Sequence, residues 1–192
     1  MTRNPSNSHG TLLLIRHAPL ADPARLTGRR DVAAVVDAAA ARRLAALAGP
    51  VSRVVSSPAR RCRETAAALW PDVAVDEDAR LWEQDFGAWE GMALAELPDL
   101  GVMGGEELAR SAPHGGESFV ALCARSIPAL EELAAGGGRV AVVAHAGTVR
   151  AGLARAVGGA GAALAFRVAP LSLTVIDAAP SGWSVACVNL SV

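Results

Sequence analysis

Arg16-His17 stands where an apolar run, Thr11–Ile15, gives way to polar chain. A second run, Arg139–Ala144, ends directly in His145. The other two histidines, His9 and His114, fall in a polar N-terminal stretch and in a Gly- and Pro-rich segment. An imidazole can attack through one ring nitrogen while the other donates a hydrogen bond. A guanidinium beside it offers a planar fork of donors to an anion. The segment Ser56–Ala66, SSPARRCRETA, extends the pattern. A strand hands over to a helix there, and Arg61, one turn into that helix, can point back toward the strand ends. At about 100° per residue, Arg60 and Arg63 occupy other faces and are expected in solvent. A helix N-terminus with an Arg fork makes an anion site. Leu81–Gly91, LWEQDFGAWEG, sets Glu83 and Asp85 among Trp82, Phe86 and Trp89. A carboxyl group between aromatic rings is partly desolvated, which favours its protonated form and suits a general acid. Glu90 and Glu117 are further acids within reach of that reading.

These groups need elements to hold them. Thr11–Arg16, Arg53–Ser57, Val73–Val75 and Arg139–Ala144 read as strands. Leu164–Val168, Ser172–Asp177 and Trp183–Asn189 read as a closing β-β-β run. Asp37–Ala48, stopped by Gly49-Pro50, reads as a helix, as do Ala59–Leu69 with Pro58 in its first turn, Phe119–Ala135 and Thr148–Val157. Met92–Gly116 reads as a helical insert over one edge. Strands alternating with helices predict an α/β three-layer sandwich, a mostly parallel mixed sheet flanked by helices. Residues 1–10 are expected to be a disordered tail and 11–192 a single domain. Ligands of open α/β sheets bind beyond the carboxyl ends of strands, where Arg16, His17 and His145 fall.

The 192 residues are 52% hydrophobic and 19% charged, enough for one domain with a full core. A net charge of -1 supplies no field for nucleic acid or an anionic membrane. Every basic residue is Arg, which excludes a lysine Schiff base and a P-loop. Cys62, Cys123 and Cys187 form no CxxC pair, so no zinc ribbon or disulfide framework is readable. Six positions beyond Cys62 and Cys123 stand Ala68 and Ala129 rather than Arg, which excludes a cysteine-based phosphatase. Asp76-Glu77-Asp78 evokes aspartate-nucleophile phosphatases, but those need Mg²⁺ and usually a Lys. No metal and no cofactor is expected. No stretch is long enough for a signal or a membrane span, so the reading is a cytoplasmic protein. Edge strands near the C-terminus could pair in a homodimer.

LLLIRHA, SSPARRCRET, LWEQDFGAWEG, HGGES and VAVVAHAGTVR follow one another as in the histidine phosphatase superfamily. From about Leu12 to Val157 the chain resembles the larger branch of that superfamily, whose fold is phosphoglycerate-mutase-like. The resemblance implies a phosphomonoesterase acting on a small phosphorylated metabolite. It implies His17 as the group that becomes phosphohistidine. It implies Arg16, Arg61 and His145 as holders of the three non-bridging oxygens, with the Ala146 N–H as a further donor. Glu83 falls on the proton donor's position, with Asp85 as the runner-up. A protonated His145 beside two guanidiniums is expected to keep His17 neutral. The stretch RHAPLADP departs from the mutases' RHGExxxN, which argues against phosphoglycerate mutase. LTGRRDV (Leu26–Val32) and HGGES are similar to α-ribazole phosphatases of cobalamin assembly. That similarity points to α-ribazole-5′-phosphate, with Gly28, Arg29 and Trp82 as substrate contacts. Thr27 replaces the Tyr common there, and Ala33-Ala34 the usual Pro-Leu. The non-catalytic alternative is a phospholigand-binding module on the same fold.

Overall fold

A computed structural model describes residues 10–192. The expected tail lies outside the described residues, except Gly10, which already pairs in the first strand. The elements in chain order are β1 (Gly10–Arg16), α1 (Ala38–Ala48), β2 (Arg53–Ser56), α2 (Arg60–Leu69) and β3 (Val75–Glu77). Then come α3 (Gly105–Arg110), α4 (Phe119–Ala135), β4 (Gly138–Ala144), α5 (Ala146–Val157), α6 (Ala160–Ala163), β5 (Leu173–Ala179) and β6 (Gly182–Leu190). One sheet runs in the order β3-β2-β4-β1-β5-β6. β3, β2, β4 and β1 are parallel, β5 runs against β1, and β6 against β5.

The central strands are apolar without interruption because both faces are covered. Side chains alternate across the sheet. Leu12 and Leu14 pack with Leu122, Leu130, Val149 and Leu153 of α4 and α5. Leu13 and Ile15 pack with Leu44, Ala66 and Leu69 of α1 and α2. This is the expected three-layer α/β sandwich. Close approach of α5 needs Gly152, where a Cβ would come within 2.6 Å of Leu14 Cδ1. Asp37 caps α1 by accepting from the N–H groups of Ala39 and Ala40, and Ser118 caps α4.

Several expectations need correction. The strand placed at Val73–Val75 lies at Val75–Glu77, because pairing with β2 begins at Val54↔Val75 and runs to Ser56↔Glu77. As an edge strand it can carry acids outward. Pro58 precedes α2 rather than opening it, since Ala59 is the cap residue. α5 begins at Ala146, directly after His145, two residues earlier than Thr148. Leu164–Val168 is not a strand, so the chain closes with two strands instead of three. The insert 92–116 is helical only in α3 and a single short turn at Leu94–Glu96, because Pro98, Gly101, Gly104, Pro113 and Gly115 interrupt it.

Candidate active site

Parallel pairing of β1 with β4 aligns Arg16 with Ala144, so His17 and His145 emerge side by side. Their rings meet edge-on, centroids 5.4 Å apart. The His17 N–H donates to Ala144 O at 2.9 Å. His17 Nδ1 lies 2.7 Å from Ala18 O, which assigns the proton to Nδ1 and leaves Nε2 with a free lone pair. The side chain is only 4% exposed. Burial pushes its pKa down from 6.5 to about 3, and Arg61 and Arg16 push the same way against the Ala18 carbonyl.

His145 is fully buried, and burial, then Arg61, hold it well below the ordinary imidazole range. Its Nδ1 accepts from Arg61 Nη2 at 3.2 Å, so Nε2 donates to Ser57 Oγ at 2.9 Å. His145 is therefore neutral, correcting the charged ring expected from the sequence. His17 owes its neutrality first to burial and then to the two guanidiniums.

Arg61, the second residue of α2, is fully buried, while Arg60 and Arg63 reach solvent as expected. Its Nη1 donates to Arg30 O and its Nη2 to Gly28 O, each at 2.7 Å. Arg16 Nη1 donates to Val168 O at 2.6 Å. Among the described residues, Nε of Arg16 and Nε of Arg61 are buried and have no partner. A buried donor left unpaired carries a desolvation penalty of about 1–3 kcal/mol, so two of them around one imidazole fit an incoming oxyanion. Thr65, four residues on from Arg61, accepts from the Ala18 N–H and donates to Arg61 O. It ties the turn after His17 to α2.

Glu83 is 8% exposed and sits against the start of α5. Its carboxylate accepts from the N–H of Gly147 at 3.2 Å and from that of Gln84 at 3.0 Å. A Cβ at Gly147 would lie 2.2 Å from Glu83 Oε1, so only glycine leaves room for the carboxylate there. Arg125 on α4 fixes the approach by donating to the carbonyls of Arg80, Trp82 and Glu83. Thr148 adds a bond to Leu81 O. The competing acids are occupied elsewhere. Asp85 accepts from the Gly87 N–H, Glu90 from the N–H groups of Gly28, Arg29 and Phe86, and Glu117 pairs with Arg125.

A cavity of about 280 Å³ opens over these groups. Its polar side includes Arg16, His17, Arg25, Thr27, Glu83, Gln84, Ala146, Gly147 and Arg150, and Phe86, Phe119 and Leu164 contribute apolar wall. Arg61 and His145, buried beside His17, are not among the residues that line it. Neither are Gly28, Arg29 or Trp82, the expected substrate contacts. Trp82 stacks on His145 at 6.3 Å, the Arg29 guanidinium lies 5.7 Å over Trp82, and Gly28 serves Arg61. These three brace the phosphoryl pocket from behind. Among the described residues, no three His, Cys, Asp or Glu side chains gather as a possible metal site.

The family model for the histidine phosphatase superfamily (branch 1) matches residues 12–191. The chain belongs to that superfamily. It is 41% identical over 113 residues to a glucosyl-3-phosphoglycerate phosphatase of Mycolicibacterium vanbaalenii, covering 51% of this chain and 50% of that one. It thus spans about half the length, or less, of the curated relatives it matches. A solved mycobacterial glucosyl-3-phosphoglycerate phosphatase superposes with a TM-score of 0.82 at 28% identity, covering 96% of this chain and 100% of that one. A putative α-ribazole-5′-P phosphatase of Escherichia coli, at 24% identity and a TM-score of 0.80 over 95% and 98%, shares the fold.

Sequence reasoning about this histidine phosphatase domain missed Arg150, Thr65 and Arg125. Arg150 closes the block VAVVAHAGTVR, one turn along α5 from Ala146. Its signal was helical spacing, because residues four apart return to one face.

The neutral histidines set a stability profile. The unfolded chain takes up protons near pH 6.5, the folded His17 only near 3, so protonation favours the unfolded state across that window. Stability is complete above the unfolded value and falls as pH drops. One pH unit below it, the loss from His17 is on the order of 1 kcal/mol. His145 acts in the same direction. His17→Asn is therefore expected to lose less stability than wild type on acidification from neutral pH, as read by urea unfolding. Equal losses in the two proteins would contradict it.

Proposed function

We propose that this domain hydrolyses a small phosphomonoester, with no metal ion, through a phosphohistidine on His17. The observation that carries this reading is the neutral imidazole with Nε2 free, set among the unpartnered Nε donors of Arg16 and Arg61. Nε2 attacks phosphorus in line, the bond to the leaving oxygen breaks, and Glu83 delivers its proton to that oxygen. Water then attacks the phosphohistidine, losing its proton to the Glu83 carboxylate, and His17 is released neutral. Charge on the equatorial oxygens is met by guanidiniums already fixed by protein carbonyls, so little reorganisation is needed. The Ala146 N–H, at the first residue of α5, can add a donor. Membership of the superfamily and the named relatives support the same reaction class.

The Leu26–Val32 segment, which suggested α-ribazole-5′-phosphate, supplies through Gly28 and Arg30 the carbonyls that hold Arg61. That role serves any ester, while Leu26 and Thr27 of the same segment line the cavity and can meet the rest of the substrate. Both α-ribazole-5′-phosphate and phosphorylated glycerate esters belong in a first substrate panel. No helix of the described residues is long and apolar enough to cross a membrane, and three free cysteines suit a reducing cytoplasm.

The test is turnover of p-nitrophenyl phosphate by EDTA-treated protein, with rapid-quench capture of an acid-labile, base-stable phosphoenzyme. Both are expected. Turnover that requires added metal, or a phosphoenzyme that survives acid, would overturn the reading.

A further inference from the structure

Arg61 is held by two carbonyls and by His145. Among the described residues, the Arg16 side chain has one protein partner, Val168 O, which accepts from Nη1 at 2.6 Å. Val168 lies between α6 and β5, where no helix or strand fixes its carbonyl. That carbonyl shares a planar peptide unit with the N–H of Ala169, and in a trans peptide the two groups point opposite ways. The Ala169 N–H donates to Asn189 Oδ1 at 2.6 Å. One rigid amide plane is therefore gripped from both sides, by Arg16 at its oxygen and by Asn189 at its nitrogen.

We infer that Asn189 is a positioning residue for phosphoryl transfer, setting the Arg16 guanidinium through the Val168–Ala169 peptide without touching the substrate. The inference rests on the reading of Arg16 as a holder of phosphoryl oxygens. Asn189 does not line the cavity, and β5 separates its strand, β6, from β1. Leu190 pairs with Leu173, and Leu173 with Ile15, so Asn189 still stands at the sheet edge that carries Arg16.

The backbone is built for that reach. Between the pairs Leu173↔Leu190 and Val175↔Cys187, β6 carries one residue more than β5, a bulge. Bulges re-aim side chains and recur beside active sites. Asn189 takes a φ of 58°, a left-handed conformation that Asn adopts more readily than most side chains. Its own N–H donates to Oγ1 of the buried Thr174. The turn before β5 is closed without Asn189. Ser172 Oγ donates to Ala169 O at 2.7 Å, and the Leu171 N–H donates to the carbonyls of Arg16 and His17. The Asn189 bond thus addresses the one peptide whose oxygen Arg16 uses. Hydrogen bonds in a chain polarise one another, so an acceptor at the N–H makes Val168 O a stronger partner for the guanidinium.

The test reads binding of inorganic phosphate and kcat/KM for p-nitrophenyl phosphate. Asn189→Gly keeps the left-handed backbone and deletes the acceptor. It should weaken phosphate binding and lower kcat/KM, each by about three- to tenfold, the usual cost of one neutral hydrogen bond. Asn189→Asp keeps an acceptor of the same reach and should recover most of both. In an Arg16→Ala background, Asn189→Gly should cost nothing further, because its effect runs through Arg16. Asn189→Ser, whose oxygen is too short for the Ala169 N–H, repeats the deletion if the Gly variant fails to fold. A folded Gly or Ser variant that binds phosphate and turns over like wild type overturns the inference, even if it is less stable to urea. An Asp variant as impaired as Gly, or the same fold-loss with and without Arg16, also overturns it, since Asn189 would then serve the fold alone. Any of these beside an active wild type defeats the Asn189 assignment and leaves the phosphatase reading intact. Wild type that binds phosphate without hydrolysing the ester defeats the phosphatase reading, and phosphate binding then decides on Asn189 by itself.

Discussion

His17→Ala is expected to lower p-nitrophenyl phosphate turnover by at least about four orders of magnitude and to abolish the trapped phosphoenzyme. The size follows from the mechanism. Without Nε2 no covalent intermediate forms, and water alone would have to attack the ester. Arg16, Arg61 and Glu83 would still polarise that ester, so a small residue of activity from charge stabilisation should persist. The fold should tolerate the change. His17 contributes one side-chain bond, to the carbonyl of the next residue, while its backbone N–H keeps the bond to Ala144. The neutral ring also sits close to two guanidiniums that disfavour its protonation, and removing it relieves that conflict at low pH. Circular dichroism and an unfolding curve would establish that the variant is native. A native variant that still turns over at a wild-type rate would remove His17 from the chemistry.

The parts of the site carried by strand ends were legible in the sequence for a physical reason. β1 and β4 are buried on both faces, so each appears as an unbroken apolar run, and the first polar residue after it marks the sheet's carboxyl edge. Arg16, His17 and His145 stand at those edges. Arg61 was legible because helical geometry turns one arginine of three inward. What spacing could not show was what each group leans on. The carbonyls that hold Arg61 come from residues about thirty positions earlier, and the bonds that align Glu83 come from α4 and α5. The charge of His145 depends on burial, which no dipeptide reports. Leu164–Val168 failed as a strand because a short apolar run has no period of its own. Its carbonyls at Phe166 and Val168 instead accept from Arg150 and Arg16, so the segment serves the site. The insert 92–116 was misread as helical for a similar reason. Its glycines and prolines fix turns one at a time, and apolar residues such as Leu94, Val102 and Leu108 are left exposed rather than gathered on one helical face.

Glu83→Gln should separate substrates by how badly their leaving oxygen needs a proton. Gln has the shape of Glu, and its carbonyl can still accept from the Gly147 N–H, so the loop stays in place. It cannot deliver a proton. An alkyl ester such as sn-glycerol 3-phosphate must then expel an alkoxide, and kcat/KM should fall by about 10²–10⁴-fold, the usual contribution of general acid catalysis. p-Nitrophenolate leaves as a stable anion near neutral pH, so kcat/KM for its ester should fall by less than about tenfold. The choice of kcat/KM matters, because that ratio reports only as far as the first irreversible step, transfer of the phosphoryl group to His17. The second role of Glu83, taking the proton from water, lies after that step and appears in kcat. The variant should therefore release a burst of p-nitrophenolate equal to the enzyme present, followed by slow turnover as phosphohistidine accumulates. Equal losses in kcat/KM for both esters would move the acid to another group. Asp85, held by the Gly87 N–H and away from the cavity, would have to swing free to supply it.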